Sequence, residues 1–123
     1  MERGIEDPIA RREAVSRIRR ALRRHGVRVL RVTRERLRSL LSEAARVLEE
    51  EGLDATRISM NTLMDTAYIL LAKSLGADLV TGDWSACKRA IRLGVCCLYT
   101  RARPWMLLCS PEQLESYEKN TTT

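Results

Sequence analysis

The chain reads as an α/β protein, a three-layer arrangement in which helices flank a parallel sheet. Three observations point there. Residues 61–98 run helix, tight turn, short apolar strand, helix, apolar strand, with short links between them. Strand, helix, strand joined in that way gives a parallel pair with a right-handed crossover. Two further stretches, residues 9–24 and the segment after Thr33, carry apolar residues at helical spacing and supply covering layers. The bulk properties agree. A chain of 123 residues, 45% hydrophobic and 31% charged, makes one globular domain over 1–123 with room for a real core. No run approaches a membrane span, and the start lacks a signal-like apolar segment, so the expected location is cytoplasmic with no membrane partner.

Residues 1–8 read as a frayed start, with Pro8 suited to the first turn of a helix. In the helix over 9–24, Ala10, Ala14, Ile18, Ala21 and Leu22 share one side. Arg12, Arg17, Arg19, Arg20, Arg23 and Arg24 occupy the rest. Guanidinium groups so arranged suit the phosphates of a nucleic acid, and Arg12, Arg19, Arg20 and Arg23 are the candidate contacts. An ordinary solvated helix face looks the same. The net charge of +6 independently favours an anionic partner. Lys occurs only at 73, 88 and 119, and Asn and Gln are scarce, which suits a GC-rich genome and a thermophile.

Gly26 ends the first helix, and residues 27–32, VRVLRV, have the β-branched character of a strand. Thr33 is a sound N-cap for a second helix whose Leu37, Leu40, Leu41, Ala44, Ala45 and Leu48 should lie on the sheet. That helix ends at Gly52. Glu49, Glu50 and Glu51 stand near its C-terminus, where negative charge is unfavourable, and nothing in the sequence accounts for them. Residues 53–61 form a loop in which Ser59 and Asn61, with Thr62 beyond it, are cap candidates and donors for a phosphate.

The helix over 62–75 is apolar almost all round, the signature of a buried one. Asp65 falls in its first turn, and Gly76 follows its end. Residues 78–81 make a short strand that stops at Gly82-Asp83. Ligands in parallel sheets bind beyond such carboxyl ends. A helix over 85–93, closed by Gly94, leads to a strand over 95–99 and a last strand over 105–109. Ser110-Pro111-Glu112 opens a short final helix, and 120–123 is a tail. Cys87, Cys96, Cys97 and Cys109 show no CxxC spacing and have only His25 for company, which argues against zinc. They read as small core residues, with a disulfide from Cys109 to another of them left open for a hyperthermophile.

Asp65, Ala72 and the run Leu75-Gly76-Ala77-Asp78-Leu79-Val80-Thr81-Gly82-Asp83, with Arg92-Leu93-Gly94-Val95 before the next strand, resemble the carboxyl-terminal half of a PIN domain. The 18 residues from Asp65 to Asp83 also fit. The resemblance is specific over 61–98 and loose elsewhere. It implies a PIN-like fold and a metal-dependent endoribonuclease acting on single-stranded RNA, with Mg²⁺ or Mn²⁺ as cofactor. Many members are toxins of toxin–antitoxin pairs, so an antitoxin protein and a homodimer partner are implied as well. Asp65 and Asp83 take the catalytic and metal-binding roles, supported by Thr81, Ser85 and Asn61. Mg²⁺ is a hard cation that takes oxygen ligands and keeps several waters, which is why such chemistry needs carboxylates.

Taken singly, each acid has a plainer reading: Asp65 meets the positive end of a helix dipole, and Asp83 caps the next helix. The two together at this spacing favour the metal. The departures are specific. The amino-terminal strand ending in an essential Asp is missing, as in a domain truncated at its start. Only Glu2 or Glu6 is available for the early Glu, and Ser85 stands where many members carry another Asp. The alternative function is therefore a catalytically degenerate PIN-like module that binds RNA or protein. A DNA-binding regulator built on the arginine helix fits less well, because a strand, not a second helix, is expected after Gly26.

Overall fold

A computed structural model describes residues 7–28 and 30–121. Glu2 and Glu6, Val29 and the last two residues of the tail lie outside the described residues. The chain divides into two compact units, Met1–Val32 and Thr33–Thr123.

In the first unit, helix α1 spans Pro8–Arg24. Asp7 caps it by accepting the Ile9 N–H at 3.0 Å, and Pro8 sits where its missing donor costs nothing. Gly26 turns the chain out at φ 77°, a conformation that favours glycine. No residue of α1 is buried, so Arg12, Arg19, Arg20 and Arg23 all face solvent. The strand expected over 27–32 is not formed among its described residues. A strand needs a partner for its backbone groups, and this segment has none, so Val27, Leu30 and Val32 stay exposed.

The second unit holds helix α2 (Arg34–Glu50), a 3₁₀ turn (Ala55–Arg57), helix α3 (Met60–Leu75), strand β1 (Leu79–Thr81), helix α4 (Trp84–Arg92), strands β2 (Cys97–Tyr99) and β3 (Met106–Leu108), and helix α5 (Pro111–Thr121). Its sheet has the order β1-β2-β3. β1 pairs parallel with β2, Leu79 opposite Cys97 and Thr81 opposite Tyr99, with α4 as the crossover. β3 runs antiparallel to β2, Cys97 opposite Leu108. The fold is α/β as expected, but the sheet is mixed. The six residues between β2 and β3 are too few for a crossover and permit only an antiparallel return.

Two further expectations are corrected. α2, capped by the Thr33 hydroxyl on the Arg36 N–H at 3.1 Å, packs on α3 and not on the sheet. Leu40 and Ala44 meet Ala67 and Leu70 there, because α3 offers apolar surface where a three-stranded sheet has little to spare. α3 starts at Met60, its cap being Ser59, whose hydroxyl accepts the Thr62 N–H at 3.1 Å. Asp65 therefore lies in the second turn, outside the reach of a first-turn dipole effect. Nor is α3 buried on all sides: Tyr68 and Leu75 are each 55% exposed.

The main core gathers Ile69 and Ala72 of α3, Cys87, Ala90 and Ile91 of α4, Val95, Cys97 of β2, Leu108 of β3 and Leu114 of α5. Two disulfides cross it, Cys87–Cys97 and Cys96–Cys109. The neighbours Cys96 and Cys97 point to opposite sides of β2, so one bridge ties the strand to α4 and the other ties it to the end of β3. The rings of Trp84, Tyr99 and Tyr117 stack at centroid separations of 5.0, 5.1 and 6.0 Å, and Trp84 Nε1 donates to Glu118 at 3.3 Å. This cluster docks α5 beside the carboxyl end of β2.

Candidate active site

The site forms where β1 ends. The Thr81 hydroxyl accepts the Asp83 N–H at 3.0 Å, a local turn that fixes the backbone just past the strand. Asp83 is then the N-cap of α4: its Oδ1 accepts the N–H of Ser85 at 2.9 Å and of Ala86 at 3.4 Å. That leaves the second carboxylate oxygen of an exposed side chain facing outward. Asp65 projects from α3, half-buried. Its carboxyl is pushed above the ordinary value of 3.8, first by burial and then by the negative charge of Asp83, with the Arg89 guanidinium pulling the other way. The two acids are thus near enough to feel one another across the gap between α3 and the β1–α4 turn.

Arg89 lies on α4 with its side chain only 15% exposed. Its Nε stands 3.8 Å from a carboxylate oxygen of Glu51, the C-cap of α2, and makes no hydrogen bond. This pair accounts for part of the acid run that breaks the helix-end rule. Glu51 answers Arg89, and Glu50 meets Arg46 at 3.3 Å. Gly82 has a separate reason to be glycine. A Cβ there would lie 3.3 Å from the Thr100 hydroxyl and 3.4 Å from Cγ of Arg101, so the Arg101 stem rests on the backbone between Thr81 and Asp83. A cation is thereby placed beside the carboxylates. From Asp65 a groove of about 380 Å³ runs along α3 and β1, lined by Tyr68, Leu75, Leu79, Val80 and Thr81.

Of the residues singled out in the sequence, the structure brings Asp65, Thr81 and Asp83 together. Ser85 contributes its backbone N–H to the Asp83 cap and keeps its side chain in solvent. Asn61 is exposed in the first turn of α3, one turn ahead of Asp65. Arg12, Arg19, Arg20 and Arg23 belong to the other unit. Sequence reasoning missed Arg89 and Arg101. The available signal for Arg89 was an arginine flanked by Cys87, Ala90 and Ile91 on an otherwise apolar helix face; for Arg101 it was Gly82 where no turn demands one.

The donor set suits a hard divalent ion. Two carboxylates, one with an uncommitted oxygen and the other already disfavoured as a bare anion, match Mg²⁺ or Mn²⁺, which use one or two carboxylates and retain waters. Among the described residues no group of three or more His, Cys, Asp or Glu side chains comes together in a manner that would hold a metal. No protein-family model matches the chain, and no curated protein or solved structure matches it either. Among the described residues, no helix is long and apolar enough to cross a membrane.

Proposed function

We propose that the protein is a PIN-like, metal-dependent endoribonuclease acting on single-stranded RNA, of the kind that serves as the toxin of a toxin–antitoxin pair. The observation that carries this reading is the approach of Asp65 and Asp83 at the carboxyl end of a parallel strand, each raising the cost of the other's charge. Structural roles account for Asp83 as a cap but leave Asp65 unexplained: a carboxylate half-buried beside another destabilises the fold it sits in. Such an arrangement is stabilised by a cation.

Asp65 and Asp83 would hold Mg²⁺ or Mn²⁺. The bound ion supplies activation of a water and neutralisation of charge on the phosphate. The protein's own groups do the rest. Thr81 fixes the Asp83 backbone, so the carboxylate cannot swing away without losing its cap bonds. Arg89, leaning on Glu51, limits the charge build-up around Asp65. Arg101 offers a guanidinium to a substrate phosphate beside Asp83. On the other unit, Arg12, Arg19, Arg20 and Arg23 grip the RNA backbone without regard to sequence. Cleavage of a mixed single-stranded RNA in Mn²⁺, absent in EDTA, is the expected result; equal cleavage in both overturns the metal.

The second reading, a degenerate module that binds RNA or protein without cutting, is favoured by the fully exposed arginines of α1, which need no metal to hold a phosphate. It predicts RNA binding that EDTA leaves unchanged and no cleavage. A cytoplasmic setting and two disulfides agree in hyperthermophiles, whose intracellular proteins keep such bridges. The cytoplasmic and thermophile readings therefore stand or fall together.

A further inference from the structure

The outer edge of β1 is open. Leu79 donates its N–H to Cys96 and Thr81 accepts from Thr100, so the alternation of a parallel ladder turns the N–H and C=O of Val80 away from β2. The Val80 side chain is 60% exposed, and beside it Tyr68 and Leu75 leave an apolar face of α3 uncovered along the groove. An open edge flanked by apolar surface is a template for another strand. Asp65, Asp78 and Asp83 surround it in a chain whose net charge is +6. The edge therefore selects an extended segment that is apolar and basic. Pairing of two β1 edges with each other is disfavoured, because it would bring six acids together.

The chain carries one segment of that chemistry. Residues 27–32 alternate β-branched residues with Arg28 and Arg31, and their described apolar side chains, Val27, Leu30 and Val32, are exposed with no strand formed. We propose that residues 27–32 of a second copy add to the Val80 edge of β1, and that two copies exchange these segments reciprocally to form a closed dimer. Val27, Leu30 and Val32 cover the groove face of α3 and β1, and Arg28 and Arg31 meet the acids. Reciprocal exchange satisfies both edges at once and ends the assembly at two copies. The proposal does not depend on the nuclease reading.

The test is the mass of the full chain in solution by light scattering, across a concentration series from micromolar to hundreds of micromolar. Two variants accompany the wild type. Val80→Pro removes the outward N–H, which β2 does not use, and so blocks strand addition while leaving the β1–β2 ladder intact. Arg28→Glu with Arg31→Glu reverses the charges and touches no residue of the second unit. The wild type is expected to dimerise to about 28 kDa from 14.0 kDa. The charge-reversed double variant weakens that dimer at least about a hundredfold, with an unchanged circular dichroism spectrum. Val80→Pro does the same; should it unfold, the arginine variant alone decides. A wild type that stays monomeric at every concentration overturns the proposal. So does a dimer that survives the arginine reversal, which would locate the interface elsewhere.

Discussion

Replacing Cys87 and Cys97 together by Ala removes the bridge between α4 and β2. Both residues are fully buried, and the cross-link closes a loop with a sequence separation of 10. Constraining a loop of that size in the unfolded chain is worth about 3 kcal/mol. The second unit spans 33–123, a size at which 1 kcal/mol moves the midpoint by roughly 5 °C, so the variant should melt about 15 °C below the wild type. Circular dichroism melts without reductant measure this. Thiol titration of the denatured, unreduced protein should find no free thiol in the wild type. Cys96–Cys109 closes a loop of similar size, with a separation of 13, but Cys109 is exposed. A mild reductant should therefore open that bridge first and leave Cys87–Cys97 intact. Four free thiols in unreduced wild type, or a variant that melts with it, would refute the account of how α4 is held.

Asp65→Asn should stabilise the metal-free protein at neutral pH, because it removes a carboxylate that burial and Asp83 disfavour. The folded-state affinity of Asp65 for its proton is raised above the ordinary 3.8, so its cost is fully present above the folded value, is relieved as pH falls through that value, and is gone below 3.8. Melting curves of the two proteins should accordingly converge on acidification, and a gap that widens contradicts the sign. Ile69→Ala empties a position with no exposure at the centre of the main core and should cost about 2–5 kcal/mol in urea unfolding; a loss under about 1 kcal/mol would show that Ile69 is not packed as described.

What the sequence disclosed was local. Pro8, Thr33, Gly76 and Gly94 mark helix ends through bonds made within a few residues, and each lies at or within a residue or two of a boundary in the structure. Asp83 was legible as a cap for the same reason. The start of α3 was misplaced because Ser59, Asn61 and Thr62 all offer cap chemistry in sequence, and only the fold selects Ser59. The segment over 27–32 has the composition of a strand but no neighbour to pair with, and composition carries no information about neighbours. The antiparallel return of β3, the pairing of four cysteines and the Glu51–Arg89 contact are all non-local. Asp65 illustrates both limits: its spacing to Asp83 was visible, while its surroundings of Arg89 and half-burial were not.

Asp83 has a structural role and a proposed chemical one, and a single substitution separates them. Asparagine caps a helix about as well as aspartate, whereas alanine loses about 1 kcal/mol. Asp83→Asn should therefore melt close to the wild type yet lose Mn²⁺-dependent cleavage of single-stranded RNA, with Asp83→Ala losing both. An Asp83→Asn protein that cuts RNA at the wild-type rate in Mn²⁺ would contradict the claim that this carboxylate holds the metal.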